Sequence, residues 1–142
     1  MKVSVNNDPT KLTVPARVLL IDDLPDEREM YRYGLNGLGV AITVVETKDA
    51  LALMDTVGAD VIVLNVEGEQ DWRLCEQLAD RHENVPVLVL TADVRPGLRN
   101  RERCRAARNC AAFLAKPCTH LRLIGVIARV AGGERGIEIT EC

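Results

Sequence analysis

Short apolar runs rich in β-branched residues recur along the chain, each closing on a polar residue, with stretches of helical periodicity between them. Val18-Leu19-Leu20-Ile21 closes on Asp22 and Asp23, Val61-Ile62-Val63-Leu64 on Asn65, and Val87-Leu88-Val89-Leu90 on Thr91. Ala111-Ala112-Phe113-Leu114-Ala115 leads into Lys116-Pro117. Runs this short, without polar alternation, predict strands buried on both faces of a parallel sheet. One more strand is predicted over 40–46. A helix is predicted over 25–38, with Pro25 at its first position and Tyr31, Leu35 and Leu38 on one face. The second helix follows Thr47 as N-cap and stops at Gly58, with Ala50, Leu53, Met54 and Val57 at core spacing. Helices are further predicted over 71–81, 96–108 and 121–130, with Asn109 as a left-handed C-cap of the fourth.

Strands alternating with helices predict an α/β fold, a parallel sheet covered by helices on both faces. Asp22, Asp23, Asn65, Thr91 and Lys116 then converge at the carboxyl ends of the strands, where open α/β sheets place their ligands.

Composition narrows the class. With 142 residues, 47% of them hydrophobic, the chain suits one core. Residues 1–15 are read as a flexible polar extension, 16–131 as the domain, and 132–142 as a short tail, too short for an output domain. No apolar run is long enough to cross a membrane and the start lacks a signal-peptide core, so a cytoplasmic protein without membrane contact is expected. Cys75, Cys104, Cys110, Cys118 and Cys142 are odd in number and show no CxxC spacing. Free thiols are therefore expected rather than disulfides or a zinc site.

The ordered strand-end set resembles the receiver domain of bacterial two-component response regulators over residues 16 to 131. The resemblance implies a flavodoxin-like (βα)5 doubly wound, five-stranded parallel sheet of order 2-1-3-4-5. It further implies an acidic pair that binds magnesium at Asp22 and Asp23, a hydroxyl at Thr91 and a lysine at Lys116. Phe113 stands at the family's aromatic switch position, with ordinary core packing as the alternative. The departure is Asn65, which occupies the place of the phosphoacceptor Asp, so the chain resembles an atypical or pseudo-receiver.

An amide oxygen is neutral and a poor nucleophile, whereas phosphoryl transfer needs an anionic oxygen in line with the donor. Asn65 also lowers the local charge, so magnesium is expected to bind weakly and no cofactor to be required. Lys116 is expected to find its counter-charge in Asp22 or Asp23. Glu67, two positions after Asn65, is the leading substitute carboxylate and a further candidate magnesium ligand.

The reading drawn is a non-enzymatic, phosphorylation-independent signalling module acting through a protein partner, a histidine kinase or a downstream regulator. One alternative is a true phosphoreceiver, with Asn65 an engineered replacement of Asp or bypassed by Glu67. Another is a small magnesium-dependent phosphatase, disfavoured because no histidine follows a strand end and no P-loop or GxGxxG is present.

Charge bears on the partner. Residues 1–92 carry 8 Lys/Arg against 16 Asp/Glu, and residues 93–142 carry 10 against 5. Arg95, Arg99, Arg101, Arg103, Arg105 and Arg108 concentrate the excess around the fourth helix. In the resembled family the surface of helix four, strand five and helix five is the usual site of dimer and partner contacts, so these arginines are expected to bind a partner, a second copy included. Net charge of -3 over the chain favours an acidic protein surface over nucleic acid.

Overall fold

The computed structural model describes residues 16–92 and 99–140. Five βα units follow one another: β1 (Arg17–Ile21), α1 (Pro25–Gly37), β2 (Ala41–Val45), α2 (Thr47–Thr56), β3 (Val61–Asn65), α3 (Glu69–Arg81), β4 (Val87–Thr91), α4 (Asn100–Ala106), β5 (Cys110–Ala115) and α5 (His120–Ala131). A further strand, β6 (Ile137–Ile139), closes the described chain. The sheet has the order β2-β1-β3-β4-β5-β6, and every pairing is parallel. The α/β class and the 2-1-3-4-5 order thus hold, and the segment read as a tail adds a sixth strand beside β5.

The two central strands β3 and β4 are buried at every position, which is why their sequences run apolar without alternation. Alternate residues feed two cores. Val18, Leu20, Val61, Val63, Leu88, Leu90, Ala112 and Leu114 face α1 and α5. Leu19, Ile21, Ile62, Leu64, Val87, Val89 and Phe113 face α2, α3 and α4. Each fully buried Leu, Ile or Phe contributes roughly 1.5–3 kcal/mol of transfer free energy, so the register of these strands is strongly fixed.

Several local expectations are corrected. Thr47 is the first residue of α2 rather than its cap: the Asp23 carboxylate accepts from its amide (2.7 Å) and its hydroxyl (2.8 Å). Asn109 is not left-handed, and Arg99, before α4, is the one non-glycine residue with positive φ among those described. Asn109 is instead buried, its carbonyl accepting from Val87 N at 2.7 Å as β4 begins. Helix α3 starts at Glu69, two residues earlier than predicted, with Trp72 inside it and buried. Cys104 and Cys110 form a disulfide between α4 and β5, against the expectation of free thiols; Cys75 and Cys118 are free. The start of the predicted fourth helix, Arg95, and the extension 1–15 lie outside the described residues.

Where α1 meets the start of α5, the ring of His120 stacks obliquely on Tyr31, centroids 5.7 Å apart. The same ring lies against the backbone of Gly34, where a Cβ would come within 2.0 Å of Nδ1.

Candidate functional site

The carboxyl ends of β1, β3, β4 and β5 bring four of the five strand-end residues together and turn one away. Asp22 is buried, 1% exposed, with Oδ1 accepting from Leu24 N at 2.9 Å. Asp23 points to the neighbouring unit, because β1 lies beside β2 and its carboxylate sits over the start of α2. The acidic pair read as a magnesium site is therefore split. Among the described residues no group of three or more His, Cys, Asp or Glu has a metal-holding arrangement. Hard divalent cations need several anionic oxygens on one side of the ion, and here the nearest carboxylates already face an ammonium, so the residues present do not fit magnesium in this arrangement.

That ammonium is Lys116, at the end of β5, with a cis bond to Pro117. It donates to Asn65 Oδ1 at 2.7 Å and to both oxygens of Glu27 at 3.1 and 3.2 Å, and lies 3.6 Å from Glu67 Oε1. The lysine side chain is only 11% exposed. Its counter-charge is thus Glu27 and Glu67, not Asp22 or Asp23 as expected from sequence. Glu27 was missed because an acid in the first turn of a helix is accounted for by the helix dipole alone.

Asn65 is held on both sides. Its oxygen accepts from Lys116, and its Nδ2 donates to Glu67 Oε1 at 2.9 Å. Glu67 does point into the pocket, and the buried Asp71 explains why: its Oδ2 accepts from Glu67 N at 2.8 Å and Gly68 N at 3.1 Å, tightening the β3–α3 turn. Thr91 closes β4, fully buried. Phe113 is 1% exposed and packed with Leu64, Val89 and their neighbours, a core residue in this structure.

Beneath the lysine, Asp22 and Glu27 face each other. Asp22 Oδ2 has no donor partner, and only a proton shared between the two carboxyls makes that contact a hydrogen bond. Burial first, and then Glu27, lift the Asp22 carboxyl from 3.8 to about 7, while the same hydrogen bond and Lys116 hold Glu27 below its ordinary range. The proton belongs to Asp22, the more deeply buried group, because desolvation penalises its charged form most. Burial likewise raises Tyr31, which lines the pocket mouth with Met30, Cys118 and His120 around about 370 Å³.

The described arginines are largely paired within the molecule. Arg103 lies over the Trp72 ring at 5.2 Å and pairs with Glu69 and, at 3.6 Å, with Glu76. Arg105 pairs with Glu138 of β6, 2.8 Å between Nη2 and Oε2, and Arg108 with Asp80 at 3.2 Å. The expected free basic face is in part a set of ties from α4 and its end to α3 and β6.

No protein-family model matches the chain. Response regulator MprA of Mycolicibacterium vanbaalenii is 32% identical over 82 residues, which cover 56% of this chain and 36% of that protein. The chain therefore spans little more than a third of that relative. Among solved structures, the receiver domain of Francisella response regulator 1452 matches with TM-score 0.69 at 24% identity, covering 82% of this chain and 96% of its own. Chemotaxis protein CheY4 of Vibrio cholerae matches with TM-score 0.71 at 23% identity, covering 81% and 98%. NtrX of Brucella abortus matches with TM-score 0.69 at 21% identity over 82% of this chain but only 26% of its own. At these identities the solved structures speak to the fold, and MprA adds the likeness in sequence. The chain shares the fold of these receiver structures and resembles response regulator MprA in sequence over part of its length.

Proposed function

We propose that this receiver domain signals without being phosphorylated, acting as a non-enzymatic cytoplasmic module that binds a protein partner. The observation that carries the reading is Asn65, whose amide occupies the acceptor position and bonds to Lys116 on one side and Glu67 on the other. In acyl phosphate formation the attacking oxygen must carry charge. Here the neutral oxygen already accepts from the ammonium, and Glu27 and Glu67 complete the neutralisation of Lys116. Magnesium is not required for this mode of action, since Glu27 and Glu67 already serve Lys116 and Asp23 is turned to Thr47. Among the described residues no helix is long and apolar enough to cross a membrane.

The partner is a histidine kinase or a downstream regulator that meets the α4–β5–α5 side, where Arg99 and Arg101 accompany the paired arginines. Arginine suits bidentate contact with carboxylates, which favours an acidic protein surface over nucleic acid.

The test is incubation with magnesium and a small acyl phosphate, followed by intact-mass measurement. An unchanged mass is expected. Because Glu67 lies in the pocket, a second reading has its own signature: an adduct that maps to Glu67 replaces the proposal with a bypassed phosphoreceiver.

A further inference from the structure

Helix α4 has seven residues and no side-chain N-cap, too short to persist by its own hydrogen bonds. It is held at its start by Trp72 Nε1, which donates to Asn100 Oδ1 at 3.0 Å, and in its middle by Arg103. Its last turn is tied by the Cys104–Cys110 disulfide. Two features of that bond set it apart from a passive staple. Cys110 is the first residue of β5, the strand on which β6 docks, and it is half-buried rather than enclosed. Arg105, the neighbour of Cys104, is the residue that holds Glu138 of β6.

β6 itself is lightly attached. It is three residues long, pairs with Ala112, Phe113 and Leu114, and buries Ile137. It is reached through Gly133 and Gly136, whose φ values of 104 and 71° let the chain turn back. An element with so few buried contacts lies at the low-stability end of the fold, so the loss of one anchor weighs heavily on it.

We propose that Cys104–Cys110 is a thiol–disulfide switch that sets whether β6 is docked on the edge of β5. A dithiol reductant attacks Sγ of Cys110, the S–S bond breaks, and Cys104 leaves as a thiolate that takes up a proton. The second thiol of the reductant resolves the mixed disulfide and frees Cys110. Two electrons and two protons pass to the cysteine pair, and the reductant leaves as its disulfide. Freed from β5, the last turn of α4 no longer fixes Arg105, and Glu138 loses its partner. β6 then detaches and the outer edge of β5 stands open.

Hydrogen–deuterium exchange on the whole chain tests this, with the protein oxidised by a small disulfide and then reduced with dithiothreitol. Amides of residues 135–140 are expected to exchange about tenfold faster in the reduced form. Cys104→Ser with Cys110→Ser is expected to exchange fast under both conditions. Glu138→Gln is expected to exchange fast even with the bond closed. The proposal is overturned if alkylation and peptide mass mapping find both cysteines free after oxidation, or if β6 exchanges at one rate whether the bond is open or closed.

Discussion

Asn65 and Lys116 are 51 residues apart in the chain and 2.7 Å apart in the pocket, amide oxygen to ammonium. The same amide donates to Glu67 through its nitrogen. An aspartate there would keep the first contact and repel the second, so the amide is what lets an extra carboxylate stand in the site.

Asn65→Asp is therefore expected to push Glu67 towards solvent and to place a carboxylate beside Lys116. Magnesium affinity is expected to rise by about an order of magnitude, since each added anionic oxygen strengthens a hard-cation site. Calorimetric titration of both forms measures it. Equal affinities would mean that Lys116 and Glu27 still hold the pocket against the ion.

Lys116 and Glu27 are expected to depend on each other. Lys116→Met leaves Glu27 partly buried without its cation and should cost about 2 kcal/mol. Glu27→Gln in the same background should cost much less than alone, a coupling of about 1–2 kcal/mol in a urea-unfolding double-mutant cycle. Additive losses would deny the pair.

The raised Asp22 carboxyl gives stability a pH dependence of definite sign. Its folded value, about 7, lies above its ordinary 3.8, so the native state holds this proton more tightly than the unfolded chain. That contribution is complete below about pH 4 and is lost as pH rises through 7. Glu27, held below its ordinary 4.5, acts oppositely, and its contribution is lost as pH falls below that value. Asp22→Asn should come closest to the wild type near pH 4 and melt higher than it at pH 8. Parallel melting curves across this range would count against the assignment.

Phe113 is expected to behave as core. Phe113→Ala should cost about 3–5 kcal/mol, and Phe113→Leu less than about 1.5, read by chemical denaturation. A small loss for alanine would mean that the ring is free to move.

Much of the fold was legible because parallel strands buried on both faces write themselves as unbroken apolar runs. Val61–Asn65 and Val87–Thr91 stand where the pattern predicts, and the polar residues that close them define the pocket. β6 was not legible: Ile137-Glu138-Ile139 is too short to separate from any polar tail, and only the free edge of β5 makes it a strand. The disulfide was hidden for a related reason, since its partners sit on consecutive elements that the sheet brings together. Within the site, Asn65, Thr91 and Lys116 could be read from strand ends. Glu27 could not, because its role depends on how the first turn of α1 meets Lys116 beyond the end of β5, and Asp23 misled because the direction of a side chain at a strand end is set by its neighbour strand.

The contact between Gly34 and His120 has an evolutionary corollary. A methyl group at 34 has no room while the imidazole is stacked on Tyr31, so neither position is free to vary by itself. In related chains a larger residue at 34 should be accompanied by a smaller one at 120, and such paired substitution would mark which relatives seat the first helix this closely on the start of the last one.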